Sequence, residues 1–446
     1  MSIGDRPGTD RVAFISTRIA GTDGVSLEIA KWAEVIERQG IDCYYIAGEC
    51  DRPAERTAMI EAAHFQHPDI QEISQSVFSS EQRSTAMTNQ IIRLAQSIRS
   101  SLNQALEDLG IEIVIVENAL TIPMNIPLGI ALVQAIQEEG LSCVAHHHDF
   151  YWERPRFLVN AVDDLIRYAF PPALPQIQHV VINSLAGEEF SRRTGLSCRI
   201  IPNVMDFATP PSAPDDYARS FRHELGLRDD ELLVLQPTRV VARKGIEHSI
   251  EFVRRLGKGR AKLIISHASG DEGDTYARRI REYAEIMNVE VLYVDKLINA
   301  HRGTTPDGNK LFTLHDVFSQ ADIVAYPSQY EGFGNAFLEA VYYRRPVLCN
   351  RYTIYRTDIG PCGFRMIEFD DYMTSDTIET AKRVLDDEQL QQEMAEHNYR
   401  VAEKFFSYEV LEEELDLMIR RPHNVYRLMG RSKRFRQRME LPFTED

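Results

Sequence analysis

The stretch IVAYPSQYEGFGNAFLEA, residues 323–340, has the pattern of a buried strand followed by a glycine loop and the start of a helix. Ile323–Tyr326 is an apolar run of strand length, and helical spacing follows the loop. The loop glycines permit close approach of the backbone to a ligand. Amides at a helix start can bind phosphate or sugar oxygens, and the candidate contacts here are Gly332, Phe333, Gly334 and Asn335.

Two carboxylates frame this loop. Glu331 lies just before the predicted helix, and Glu339 lies about one turn inside it. Carboxylates placed in this way can bind different hydroxyls of one extended ligand. The structural alternative is an acidic helix N-terminus that favours the helix dipole. That alternative explains one glutamate, but it does not explain the glycine loop.

Apolar strands alternate with amphipathic helices on both sides of this stretch, which is typical of an α/β fold with buried parallel sheets. A proline-rich interruption divides the pattern into two similar halves. We therefore predict two Rossmann-like domains facing across a ligand cleft. The predicted boundaries are 1–205 for the first domain, 206–229 for a linker and 230–412 for the second domain, with C-terminal helices in 413–446 packing back on the first.

Two further loops follow predicted strands. In Pro237–Gly245, Arg239 and Lys244 can converge on a diphosphate, one as a planar fork and the other as a point charge. Near the N-terminus, Ile19–Ser26 contains Gly21 and Gly24 between the first strand and the first helix. This loop is neither a dinucleotide-binding fingerprint nor a P-loop, which argues against NAD binding and ATP hydrolysis.

Three consecutive histidines, His146–His148, end another predicted strand and precede Asp149. Successive residues of a strand face opposite sides, so the three cannot all bind one metal ion. The aromatic and basic residues that follow, up to Arg156, are expected to shape an acceptor pocket; packing of a domain interface is the structural alternative.

Together these motifs resemble the retaining glycosyltransferases of family 4 (glycosyl transferases group 1), which have the GT-B fold. The two glutamates match the family's donor signature, and Thr238 replaces the glycine that usually precedes the motif arginine. The resemblance implies that Glu331 lies by the donor sugar and Glu339 binds the nucleotide ribose. It implies that Arg239 and Lys244 neutralise the leaving phosphate, and that His148 contacts the donor sugar while Asp149 orients the sugar or the acceptor.

The same resemblance implies the cofactors and partners. Ser266 and Asp295 are expected near the diphosphate and the base, and Gly21 and Gly24 near the donor phosphates. The expected donor is a nucleotide-diphosphate sugar, and GDP-mannose and UDP-glucose are the two favoured candidates. No cofactor and no divalent metal are expected, because cationic side chains stabilise the leaving group. The acceptor is a small soluble hydroxyl compound such as a glycerate-type solute or a sugar.

Composition limits the remaining classes of function. The formal net charge of −17 argues against nucleic acid or an anionic membrane as a main partner. Six scattered cysteines, no signal-like N-terminus and no long apolar run predict a cytoplasmic protein. The sequence does not decide whether the protein forms a homo-oligomer. The basic segment 420–438 is either a solvated helix or packs against the acidic body.

Two alternatives to a transferase remain. A nucleotide-sugar epimerase or a phosphorylase can have the same architecture; the first releases nucleotide without an acceptor, and the second requires inorganic phosphate. A non-catalytic nucleotide-sugar binding protein would bind nucleotide without turnover. The presence of all four charged residues of the donor motifs argues against that last alternative.

Overall fold

The computed structural model describes residues 11–21, 23–257, 259–267 and 274–420. These residues form two compact units: the first contains those up to 202 together with those from 409, and the second contains 203–408. The basic segment 420–438 lies outside the described residues, except for the backbone of its first residue. Among the helices of the described ranges, none combines the length and the apolar character needed to cross a bilayer.

The first unit is built on a seven-stranded parallel sheet with the order β3-β2-β1-β4-β5-β6-β7. Its strands are β1 Arg11–Ser16, β2 Asp42–Ala47, β3 Thr57–Met59, β4 Ile113–Glu117, β5 Ser142–His147, β6 Ile177–Val181 and β7 Cys198–Ile200. Its helices are α1 Gly24–Arg38, α2 Pro68–Val77, α3 Thr85–Leu109, α4 Ile126–Glu139, α5 Asp163–Ala169 and α6 Ser184–Thr194.

The second unit has a six-stranded parallel sheet with the order β10-β9-β8-β13-β14-β15, and a small antiparallel pair, β11-β12. Its strands are β8 Leu232–Gln236, β9 Ala261–Ile265, β10 Val291–Tyr293, β11 Gly303–Thr304, β12 Lys310–Leu311, β13 Ile323–Tyr326, β14 Val347–Asn350 and β15 Ile367–Phe369. Its helices are α7 Asp216–Glu224, α8 Ile246–Leu256, α9 Asp274–Met287, α10 Leu314–Gln320, α11 Asn335–Tyr342, α12 Ser375–Asp386 and α13 Glu388–Phe406; α14 Tyr408–Leu415 begins at the unit boundary.

Central strands of both sheets are buried on both faces, as their continuous apolar sequences predict. Every residue of β4, β9 and β13 is buried. Each sheet packs its strands against helices in a core of its own. Two parallel-sheet, Rossmann-like units confirm the predicted fold class.

Each sheet has one point at which the strand order reverses, between β1 and β4 in the first unit and between β8 and β13 in the second. Loops at the carboxyl ends of strands beside such a point form the usual ligand-binding crevice of an open α/β sheet. The loops after β1 and β8 contain two of the predicted motifs, and the loop after β13 contains the two-glutamate motif. The topology of each unit therefore collects the residues that the sequence singled out.

The stretch predicted as a linker, 206–229, is partly helical in the structure. Asp215 caps α7 by accepting a hydrogen bond from the amide of Ala218 at 2.9 Å. Ala218 and Phe221 are buried, and Phe221 packs edge-on against Phe312. The prolines before Asp215 obscured this helix in the sequence, although its cap and its apolar spacing are ordinary helix signals.

Candidate active site

In the second unit, the loops that follow β8 and β13 lie side by side because these two strands are hydrogen-bonded neighbours. The amide of Gln329 donates to the carbonyl oxygen of Arg243 at 2.8 Å. Gly245 has a φ of 60°, and a Cβ there would lie 2.5 Å from the carbonyl oxygen of Pro327. Only glycine permits this approach, which fixes the side chain of the preceding Lys244 against the second loop.

Glu331 is the centre of this contact. Its carboxylate accepts from the ammonium of Lys244 and from Nη1 of Arg243, the latter at 3.1 Å, and the residue is 7% exposed. Burial alone would raise the pKa of Glu331, but the two cations hold it below the usual range. The pKa of Lys244 is lowered by burial and by repulsion from Arg243 and Arg239, against the opposing effect of Glu331. The loops thus form a compact charged cluster.

Arg239 and the residues predicted beside the diphosphate extend this cluster. Arg239 is exposed. The pKa of His267 is lowered by burial and then by Arg239 and Lys244, while Asp295 opposes the shift, so these four side chains share one electrostatic neighbourhood. Ser266 is buried, and its hydroxyl lies 2.7 Å from Nδ1 of His267. The hydroxyl predicted to approach the diphosphate is therefore engaged by its neighbour.

The hydroxyls of two tyrosines lie against the backbone of the glycine loop. Gly334 has a φ of 134°, and a Cβ there would lie 2.8 Å from the hydroxyl of Tyr352 and 3.0 Å from that of Tyr326. Tyr352 also donates to the carbonyl oxygen of Phe333 at 2.6 Å. Phe333 is buried, and so its side chain packs in the core.

The helix that follows the loop holds the remaining residues of the motif. Asn335 is the first residue of α11, and its side-chain oxygen accepts from Asn203 at 2.7 Å. Glu339 is half-buried on the same helix, and its charge contributes to raising the pKa of Tyr343. The motif thus reaches from the charged cluster at Glu331 into the first turns of α11.

In the first unit, side-chain hydrogen bonds hold Gly21 and the start of α1. Asp23 accepts from the amides of Val25 and Ser26, both at 3.1 Å, and forms an ion pair with Arg18 at 2.9 Å. The amide of Gly21 donates to Asp51 at 2.8 Å. Gly24 is the first residue of α1, and a Cβ there would meet no atom of the described residues within 4 Å.

A second group of polar side chains lies at the carboxyl ends of β4 and β5. Nε2 of His148 lies 2.9 Å from Oε2 of Glu117. Asn118 accepts from the amide of His148 at 2.9 Å and donates to Asp149 at 3.2 Å. Asp149 also forms an ion pair with Arg154. The predicted His148 and Asp149 are therefore neighbours in one network.

Strand alternation separates the three histidines as predicted. His147 faces Thr121 and His179, with its Nε2 2.9 Å from Nδ1 of His179. His146 and His148 share the other face with Glu117, and one ligand atom from each of these three residues lies within 4.8 Å of the others. These three side chains form one largely buried polar group, which the sequence did not suggest because its carboxylate comes from another strand.

Three residues of these networks were not predicted as site residues. Arg243 contacts Glu331, while Glu117 and Asn118 contact the His148–Asp149 segment. Arg243 stands within the basic motif, directly before Lys244, so its position was a usable signal. Glu117 and Asn118 end a strand whose pairing with β5 is a tertiary fact, and no local pattern marks them.

Comparison with known proteins identifies the class of this fold. Residues 218–401 match the family model of the glycosyl transferases group 1. The chain is 31% identical over 389 residues to the mannosylglucosylglycerate synthase of Petrotoga mobilis, covering 80% of this chain and 86% of the relative. It is 29% identical over 440 residues to the enzyme of the same name from Thermotoga maritima, covering 91% and 98%.

Among solved structures, a glycosyltransferase from Rickettsia africae superposes with a TM-score of 0.66 at 11% identity, covering 93% of this chain and 99% of that one. At this identity the likeness concerns the fold alone, and it agrees with the two Rossmann-like units described above. The match to the Petrotoga relative, by contrast, extends over most of both sequences. The chain therefore belongs to the glycosyl transferases group 1, a family of hexose-transferring enzymes with the GT-B fold.

Proposed function

We propose that this enzyme transfers a mannosyl group from GDP-mannose to glucosylglycerate, with retention of configuration at the anomeric carbon. The observation that carries this proposal is the similarity to two mannosylglucosylglycerate synthases over 86% and 98% of their lengths. The name of those relatives describes a product with a mannosyl group on a glucosylglycerate unit. Such an acceptor belongs to the glycerate-type solutes that the sequence indicated.

The second unit is proposed to bind the donor. Lys244, Arg243 and Arg239 supply positive charge for the diphosphate, and Glu339 binds ribose hydroxyls. A carboxylate has about four acceptor positions, so Glu331 can orient Lys244 and Arg243 and still accept from a sugar hydroxyl. This assignment is supported by the burial of Glu331 and by its contacts with both cations.

The first unit is proposed to contact the transferred sugar and the acceptor. His148 and Asp149 would donate to and accept from hydroxyls. Arg156 would bind the glycerate carboxylate, because the charge of Arg154 is already balanced by Asp149 whereas Arg156 has no ion pair among the described residues. Partial burial and the nearby Arg154 lower the pKa of the Arg156 guanidinium, and a bound anion would offset that repulsion.

The reaction breaks the bond between the anomeric carbon and the β-phosphate oxygen and forms a bond from that carbon to an acceptor hydroxyl oxygen on the same face. Negative charge develops on the departing GDP, where Lys244, Arg243 and Arg239 stabilise it. The hydroxyl proton passes to the departing phosphate oxygen. In this scheme the cationic side chains serve the leaving group, and a divalent metal is not required.

The test is to incubate the purified protein with GDP-mannose or UDP-glucose, with and without glucosylglycerate. Expected results are GDP release that depends on the acceptor, a product of the mass of mannosylglucosylglycerate, and an α-linked mannosyl unit by NMR. Activity with glucosylglycerate but only with UDP-glucose would correct the donor. Nucleotide release at the same rate without any acceptor would reject the transferase proposal in favour of an epimerase or a hydrolase.

A further inference from the structure

Glu117 is a buried carboxylate with no role in the proposed transfer. The residue is fully buried at the end of β4, and its neighbour in register on β5 is His146. One carboxylate contacts two rings: Nδ1 of His146 lies 3.0 Å from Oε2, and Nε2 of His148 lies 2.9 Å from the same oxygen. A buried charge is costly unless it is paired and hydrogen-bonded, so this arrangement requires an explanation.

We propose that Glu117 is a positioning residue that fixes the ring of His148 through Nε2 and so directs Nδ1–H at the substrate. The proposal rests on the proposed function of His148 in sugar transfer. Nδ1 of His148 has no hydrogen-bond partner among the described residues, and the side chain is 11% exposed. A protonated ring held at one nitrogen presents the other as a donor of fixed direction.

Rigid surroundings hold both partners in place. The ring of His146 stacks on the fully buried Trp32 with centroids 4.3 Å apart, which fixes the second contact of Glu117. The amide of Asn118 donates to the carbonyl of His146 at 3.0 Å, and its side chain accepts from the amide of His148. The carboxylate and the ring therefore meet at a geometry that is set by the β4–β5 pairing.

The charges around the pair favour an imidazolium. Burial would raise the pKa of Glu117, but His146 and His148 lower it to about 2. Burial opposes protonation of His148, yet the hydrogen bond and charge of Glu117, with Glu28 and Asp149 adding to them, raise its pKa. Two of these acids have cations of their own: Glu28 pairs with Lys31 and Asp149 with Arg154.

The separations are those of two hydrogen bonds to one carboxylate oxygen rather than those of ligands around a metal ion. Ligand atoms bound tetrahedrally at about 2.0–2.1 Å from Zn²⁺ lie about 3.3 Å from one another. Here the two ring nitrogens lie 3.0 and 2.9 Å from one and the same oxygen, which are hydrogen-bond distances. A metal site is therefore the alternative that the experiment must exclude.

The first arm of the test requires no substrate. The pKa of His148 is measured by ¹⁵N–¹H NMR titration of the imidazoles in the wild type and in Glu117→Gln, a neutral isostere that keeps a hydrogen-bond acceptor. We expect the pKa of His148 to fall in the variant. The matched control is Glu138→Gln, which removes a half-exposed carboxylate paired with Arg99 in the same unit, and it should leave the titration unchanged. An unchanged titration in Glu117→Gln would overturn the proposal.

The second arm measures kcat/KM against pH with the donor and acceptor that the wild type turns over, or donor hydrolysis if no acceptor reacts. Loss of one charge-assisted hydrogen bond should lower kcat/KM about 10-fold to 100-fold. Because the active ring is protonated, the alkaline loss of activity should move to lower pH in Glu117→Gln. A uniform loss without that shift would mean a purely structural role.

Two further outcomes separate the possibilities. If the wild type does not transfer mannose to glucosylglycerate but the titration of His148 still depends on Glu117, the substrate assignment fails and the coupling stands. Metal content is measured by mass spectrometry of the purified protein after incubation with Zn²⁺. Stoichiometric zinc that is lost in Glu117→Gln would overturn the proposal in favour of a metal site.

Discussion

Lys244 is the most buried cation of the charged cluster, with its side chain 11% exposed. Its replacement by alanine should lower kcat about 100-fold, the scale of removing one group that stabilises developing charge, while ground-state binding of the sugar changes far less. Lys382→Ala, at a partly exposed lysine on α12 that pairs with Glu379, is the control in steady-state assays. Full activity in Lys244→Ala would remove this lysine from the site.

Arg156 tests the nature of the acceptor. Its guanidinium lies over the ring of Phe157, 4.5 Å from the centroid, and close enough to Arg154 for repulsion to affect its pKa. If it binds a glycerate carboxylate, Arg156→Gln should raise KM for the acceptor about tenfold and leave KM for the donor unchanged. Arg167→Gln, at an exposed arginine of α5 paired with Asp163, serves as the control. Equal effects on both KM values would contradict a carboxylate-binding role.

At the level of single residues, the sequence was informative where one loop contains the whole motif. Glu331 and Lys244 were identified separately, and the structure adds that they form an ion pair. Glu117 was not identified, because its importance depends on the ring of His148, 31 residues further along the chain. Periodicity and loop patterns describe neighbours in sequence, so they do not reveal a contact of this kind.

The glycine loop before α11 is an element whose backbone leaves no room for a side chain. At Gly334 an alanine would combine an unfavourable φ of 134° with contacts of 2.8 and 3.0 Å to two tyrosine hydroxyls. Gly334→Ala should therefore lower stability by about 1–3 kcal/mol and weaken GDP binding, as measured by thermal unfolding and calorimetry. Gly303→Ala in β11 is the control, since among the described residues its Cβ would meet only Leu311, at 3.8 Å. Equal stabilities of the two variants would show that the loop adapts.

The buried His179 of β6 should make the stability of the first unit depend on pH. Burial lowers the pKa of His179 from 6.5 to about 4. Between pH 6.5 and 4 the imidazole of His179 is protonated in the unfolded chain but neutral in the folded chain. The free energy of unfolding therefore decreases as the pH falls from 6.5 towards 4, by up to roughly 3 kcal/mol. Above pH 6.5 this group has no further effect on stability. His179→Gln should lose less stability than the wild type over this range in chemical unfolding. His223 is exposed, and His223→Gln should show the same dependence of unfolding free energy on pH as the wild type. If His179→Gln also showed the wild-type dependence, this account would be contradicted.

The elements themselves were mostly predictable. β13 coincides with the predicted run Ile323–Tyr326, because a buried parallel strand needs a continuous apolar sequence. The helix α7 was missed because proline density outweighed its weaker helical signals. The long α3 lies outside the motifs and packs against α4. The sequence of α3 shows an apolar face but does not indicate which helix packs against it.

At the scale of the whole molecule, each unit repeats one design: a parallel sheet, a reversal of strand order, and loops with the predicted motifs beside that reversal. The duplication was visible in the sequence as two β-α series. The strand order could not be predicted from the sequence, because the alternation of strands and helices does not indicate which strands become neighbours. That order is what brings the loops after β8 and β13 into contact.

This duplication predicts that nucleotide binding and acceptor chemistry can be impaired separately. Glu339, on α11 of the second unit, is proposed to bind the ribose, so Glu339→Gln should weaken GDP binding about 10-fold to 100-fold, the scale of a charge-assisted hydrogen bond. Asp149, at the end of β5 in the first unit, should not affect GDP binding, and Asp149→Asn should lower kcat while the Kd for GDP stays within about twofold. Isothermal titration of GDP into both variants, together with initial rates, measures the two effects. If Asp149→Asn weakened GDP binding as much as Glu339→Gln does, the two effects would not be separable, and the assignment of Asp149 to the sugar or the acceptor would have to be given up.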